Sequence, residues 1–110
     1  MAKDSFNEKD WKLYRSKIAG WQEAYMERLT KEYMELLSRD DATSDKFWEL
    51  EKRIKADKKR VGVSVQLSRS EMMYQIMELL NDGAIQMSDL ANFSEDLQEK
   101  IKFFKERWLQ

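Results

Sequence analysis

Residues 9–37 read KDWKLYRSKIAGWQEAYMERLTKEYMELL, and this stretch decides the fold. Its apolar side chains fall at Trp11, Tyr14, Ile18, Trp21, Tyr25, Leu29, Tyr33 and Leu36. The steps between them are 3, 4, 3, 4, 4, 4 and 3, the spacing of one face of an α-helix. No other segment is as long or as regular. At about 1.5 Å per residue such a helix is on the order of 40 Å long. A compact domain of this size has a radius of gyration of roughly 13 Å. The helix therefore either overhangs its neighbours or makes the whole fold elongated.

Gly20 is the one blemish in this helix. In helical projection it lies opposite the aromatic stripe, beside Leu13, Ser16 and Ala24. One reading is an exposed glycine or a kink, at a cost of about 1 kcal/mol. The other is a shallow groove of small residues where a second helix, from another subunit, comes close. Both stay open at the level of sequence.

Downstream, Ser38–Thr43 reads as a polar loop, and a second helix begins at Ser44 or Asp45, both good caps. Phe47, Leu50 and Ile54 form its expected buried stripe, and Trp48 sits about a quarter turn off it, at the core edge or facing a partner. The helix closes in a basic run: Lys52, Arg53, Lys55, Lys58, Lys59 and Arg60 against the single acid Asp57. In Val61–Leu67 apolar residues alternate with Gly62, Ser64 and Gln66, the only strand-like period in the chain. An unpaired strand there, with Val63 and Val65 on it, invites pairing with another chain.

Ser68 and Glu71 match a capping box for a third helix, whose face is Met72, Ile76, Leu79 and Leu80, widened by Met73 and Met77. Asn81-Asp82-Gly83 stops it. Ile85, Met87, Leu90 and Phe93 anchor the next connection. A fourth helix runs from the cap Ser94 to Trp108, burying Leu97, Ile101, Phe104 and Trp108, with Phe103 projecting elsewhere. The expected fold is all-α: a single domain over residues 1–110, a four-helix, mostly antiparallel bundle with one long N-terminal helix and a short extended segment before helix 3.

Composition removes several chemistries. The 110 residues include no cysteine, no histidine and no proline. Without cysteine there is no disulfide and no thiolate chemistry. Without histidine the commonest general base and metal ligand is missing, and serine triads, Glu-x-x-His metal bundles and Cys/His zinc sites fall with it. Three glycines, at 20, 62 and 83, cannot build a phosphate-cradling loop. The remaining carboxylates read as solvated helix faces. No catalytic residue, no metal site and no cofactor is expected.

Charged residues make up 37% of the chain yet sum to −1, which describes a salt-bridge-laced helical surface. No run approaches the roughly 18 apolar residues of a membrane span, and Met-Ala-Lys-Asp-Ser-Phe lacks the apolar core of a signal peptide. A cytoplasmic protein with no membrane contact is expected.

Two classes of function remain. The first is an interaction or regulatory protein without enzymatic activity, plausible as a homodimer. Its candidate interface residues are Leu13, Ser16, Gly20, Ala24, Trp48, Val63, Val65 and Phe103. Four Trp, four Tyr, five Phe and seven Met are more than so small a domain can bury completely. The alternative is a DNA-binding regulator whose phosphate contacts are Lys52, Arg53, Lys55, Lys58, Lys59 and Arg60, followed by the extended segment 61–67. Such a strand followed by a helix looks similar to a ribbon-helix-helix protein. A helix-turn-helix pattern over Ile76–Ala91 places the acids Glu95, Asp96 and Glu99 on its recognition helix, where phosphates would repel them.

The runs Trp11-Lys12-Leu13-Tyr14-Arg15, Trp21-Gln22-Glu23-Ala24-Tyr25-Met26, Asp45-Lys46-Phe47-Trp48-Glu49-Leu50-Glu51 and Leu80-Asn81-Asp82-Gly83 resemble a group of small uncharacterised helical proteins of Gram-positive bacteria. Some members carry the label multidrug transporter, which a chain with no spanning segment contradicts. The resemblance implies no activity and no functional residue.

Overall fold

The computed structural model describes residues 8–108, with the side chain of Trp108 left out. It is all-helical. Four helices follow one another, α1 (Glu8–Ser38), α2 (Thr43–Asp57), α3 (Met72–Asn81) and α4 (Glu95–Trp108). Short 3-10 turns at Arg69–Glu71 and Met87–Leu90 precede α3 and α4. Helix α1 is unbroken over 31 residues and passes straight through Gly20. The chain measures 58 × 29 × 21 Å with a radius of gyration of 16.7 Å, so it is elongated along this helix. Among the described residues no helix is long and apolar enough to cross a membrane.

The stripe on α1 is continuous, but its partners change along its length. Trp11, Tyr14 and Ile18 enter one core cluster with Met72, Ile76, Met77 and Leu79 of α3, with Ile85, Leu90 and Phe93 of the connection, and with Leu97 and Ile101 of α4. Tyr25, Leu29 and Leu36 are buried outside that cluster, on the half of α1 against which α2 packs. Helix α2 contributes nothing to the main core. Its one buried residue is Asp57. The stripe expected to be buried on it is open instead: Phe47 is 60% exposed and Ile54 38%, with Leu50 half-buried. The reason lies in what α2 rests on. Polar groups tie it to α1 and to the loop that follows: Arg53 on Glu32 at 2.7 Å, Lys46 Nζ on the Leu37 carbonyl at 3.0 Å, and Arg39 of the loop on Glu49 at 2.7 Å, while Ile54 faces Met26, Leu29 and Tyr33 across an apolar groove. No α2 side chain enters the main core cluster.

Residues 61–67 form no strand. The amides of Val63 and Ser64 both donate to the Arg60 carbonyl at 2.9 Å, which closes a turn. Gln22 Nε2 donates to the Val61 carbonyl at 2.9 Å, and Gln75 Nε2 to the Gln66 carbonyl at 3.1 Å. Side chains thus satisfy the backbone where a neighbouring strand would have done so. Gly62 is buried on the ring of Tyr25, and a Cβ there would stand 2.9 Å from Tyr25 Cγ.

The expected capping box of α3 is replaced by a 3-10 turn. The Ser68 hydroxyl bonds Ser70 Oγ at 3.1 Å and caps nothing. The stop after α3 does hold: Gly83 takes φ 75°, with Ala84 N donating to Leu79 O at 2.8 Å and Gly83 N to Leu80 O at 3.1 Å. This is a Schellman end, in which glycine alone avoids the Cβ penalty. Ser94 caps α4 by accepting from the Leu97 amide at 3.1 Å. On α4, Leu97 and Ile101 are buried, whereas Phe104 is 46% exposed, contrary to expectation. The expected burial of Trp108 lies outside the described side chains.

Candidate functional site

The back face of α1 is bare in the monomer. Ser16, Gly20 and Ala24 are exposed, and a Cβ on Gly20 would meet nothing within 4 Å. Leu13 departs from this group, because it is half-buried and packs against the core. The Ser16 hydroxyl turns back onto the Leu13 carbonyl at 2.7 Å.

The basic run divides into two sets with different roles. Arg53 is bonded to Glu32 and stands over the Tyr33 ring at 5.4 Å. Arg60 donates to Asp82 Oδ1 at 2.7 Å and lies 3.4 Å from Asp57 Oδ1. Both guanidiniums, the groups best shaped to grip phosphate, are therefore used inside the chain. Lys52, Lys55, Lys58 and Lys59 are exposed and make no ion pair among the described residues.

At the foot of α2 these arginines enter a polar junction that a residue-by-residue reading of the sequence does not reveal. Tyr33 donates to Asp57 Oδ2 at 2.5 Å. Arg28 donates to the Gly83 carbonyl at 2.9 Å and stands 5.0 Å over the Tyr25 ring. Helices α1, α2 and the end of α3 are thereby tied at one point. Burial, then the bond to Asp57, push the Tyr33 hydroxyl up to about 12. Burial likewise raises Tyr25. Asp82 Oδ2 is buried here without a hydrogen-bond partner. The only sequence signal for the junction was a lone acid, Asp57, inside a basic run. Three arginines and three carboxylates balance within it, so it reads as a structural clasp. Among the described residues no group of three or more acidic side chains is placed to hold a metal ion.

The remaining feature is apolar. On α2 a groove of about 370 Å³ is lined by Phe47, Leu50, Glu51, Ile54, Lys55 and Lys58. A second of about 200 Å³ continues it between the two helices, with Met26, Leu29, Tyr33 and Val63 on its walls. Trp48 is 63% exposed and meets Phe47 edge-on, the ring centroids 4.9 Å apart at 82°. Met34 and Leu37 are exposed on α1. Of the expected interface residues, Val63 lines the second groove and Trp48 adjoins the first through Phe47. Val65 packs half-buried on the core. Phe103 is exposed far along the chain, in edge contact with Phe104 at 5.5 Å and under the Arg107 guanidinium at 4.6 Å. Next to that pair, Met73, Tyr74, Met77, Phe104 and Arg107 line a separate groove of about 380 Å³ between α3 and α4.

Comparison with known proteins leaves the reading to this geometry: no family model matches the chain, and neither a curated protein nor a solved structure matches it.

Proposed function

We propose that this chain is a non-enzymatic interaction protein that docks a helical partner on the open face of its α1–α2 hairpin. One observation carries the reading. A stripe with core spacing and core composition, Phe47, Leu50 and Ile54, is left uncovered by the chain's own core. Stripes of this kind are usually buried, and here Phe47 stands exposed against an exposed Trp48. The adjoining Trp48 and Met34 fit the same role, since tryptophan anchors interfaces and methionine adapts to them. On this reading the antiparallel packing expected of the whole chain resides in helix pairs, α1 with α2 and α3 with α4, and the first pair awaits its second layer. The cytoplasm suits a chain without cysteine.

Site-specific photocrosslinking in living cells tests this. A photoreactive phenylalanine analogue is placed at position 47, and at position 20 as the control. A discrete adduct from position 47 and none from position 20 is the expected result. No adduct from 47, or equal adducts from both positions, overturns the reading.

A further inference from the structure

Resting on that docking role, we infer that the partner is an acidic amphipathic helix, which lays its apolar stripe in the α2 groove and its carboxylates along a rim of four lysines. Phe47, Leu50 and Ile54 supply the apolar strip of that groove, and Glu51, Lys55 and Lys58 line it beside them. At about 3.6 residues per turn, Lys58, Lys55, Lys59 and Lys52 follow one another around one flank of α2. The opposite flank carries Arg53 and Asp57, which bond Glu32 and Tyr33 of α1. The strip is therefore basic along its outer edge and closed by α1 along the other.

The charge on that edge is uncompensated. All four lysines are exposed, and among the described residues none makes an ion pair. Glu51 is the one acid lining the first groove. Lys58 also lines the second groove, whose acid Asp57 is already held by Tyr33 and Arg60. The chain thus sets Arg53 and Arg60 against its own carboxylates and leaves the lysines unmatched beside an uncovered apolar strip. A partner that is apolar on one face and acidic on the adjoining flank answers both features, because complementary charge selects the partner and fixes its orientation. From Phe47 to Lys58 the strip is on the order of 16 Å long, about three helical turns. A helix of that length brings apolar anchors at i, i+3 or i+4, and i+7.

An anionic lipid surface shares the charge but not the shape. A helix lying on lipid sinks a protruding apolar face into the headgroup boundary. Here Leu50 is half-buried in a groove of about 370 Å³, and the Glu51 carboxylate lines the same groove.

The photoreactive analogue at position 47, read in cells by mass spectrometry of the attached peptide and by charge variants, tests this. The attached peptide is expected to carry apolar residues at helical spacing with acids on one flank. Lys55→Glu combined with Lys58→Glu should cut the adduct yield about tenfold. Glu51→Lys should raise it, and Lys102→Glu, on α4, should leave it unchanged. Unchanged circular dichroism of each variant shows that the fold is intact. An attached peptide without such acids, or a yield that survives the double lysine reversal, overturns the acidic partner while the docking role stands. Yields that fall alike in the double reversal and in Glu51→Lys overturn it as well. An adduct to phospholipid, with the purified chain sedimenting with phosphatidylglycerol vesicles but not phosphatidylcholine vesicles, gives the face to a lipid surface instead and overturns the helix. No adduct from position 47 in the parent overturns the docking role itself.

Discussion

Tyr14 and Gln75, 61 residues apart, are joined by a buried hydrogen bond of 2.6 Å from the tyrosine hydroxyl to Gln75 Oε1. The same glutamine donates from Nε2 to the Gln66 carbonyl. One side chain thus links α1, α3 and the irregular segment before α3. Tyr14→Phe leaves Gln75 Oε1 buried and unpaired, which costs about 1–3 kcal/mol. Urea unfolding followed by circular dichroism should show that loss with an unchanged slope.

Asp10 holds the start of α4 from the other end of the chain. Its carboxylate accepts from the Ser94 amide at 2.9 Å and from the Ser94 hydroxyl at 2.6 Å. Ser94 in turn caps α4. Ser94→Ala removes the cap and the hydroxyl's bond to Asp10, so a loss of about 1–2 kcal/mol is expected in thermal unfolding. Asp10→Ala should be at least as damaging, because it frees both donors.

Gly62 and Gly20 should respond in opposite directions. Gly62→Ala drives a Cβ into the ring of the buried Tyr25, an overpacking that costs about 1–3 kcal/mol. Gly20→Ala meets open space and raises helix propensity, so it should stabilise the chain by about 1 kcal/mol. It should also leave the crosslink from position 47 in place, since no α1 residue lines the α2 groove. Loss of that crosslink in Gly20→Ala would move the docking surface to the back of α1.

Stability should fall as pH rises from about 10 to about 12. The Tyr33 hydroxyl, ordinarily at 10.0, is pushed up to about 12 in the folded chain by burial and by Asp57. Below pH 10 both states carry its proton. Above it the unfolded chain loses the proton while the folded chain keeps it, so ionisation favours unfolding. Burial raises Tyr14 and Tyr25 in the same direction. Denaturation midpoints measured from pH 9 to 12 should decline, and Tyr33→Phe should flatten the decline.

Periodicity made the helices legible, with α4 beginning at its serine cap, but it left open whether α1 kinks at Gly20, which the structure passes without a break. It could not say what covers each stripe. Tyr14 and Phe47 look alike in sequence, yet one is in the core and the other in solvent, because amphipathicity reports a face without naming its neighbour. The alternation of Val61–Leu67 was misleading for a related reason. Gln22 and Gln75 supply the backbone partners that a strand would otherwise require, and neither signals this locally. The Asp57 junction and the Asp10–Ser94 contact depend on residues 24 and 84 positions apart, beyond the reach of any spacing rule.

Hydroxyl-radical footprinting of Phe47 and Trp48 tests most directly whether the α1–α2 face is a docking surface. Oxidation is compared between the purified chain at high dilution and the same chain in intact cells, with Phe103 and Phe104 as exposed references. Docking requires both hairpin residues to be oxidised freely when dilute and protected in cells, with the references unchanged. Equal oxidation of Phe47 and Trp48 in the two settings would contradict it.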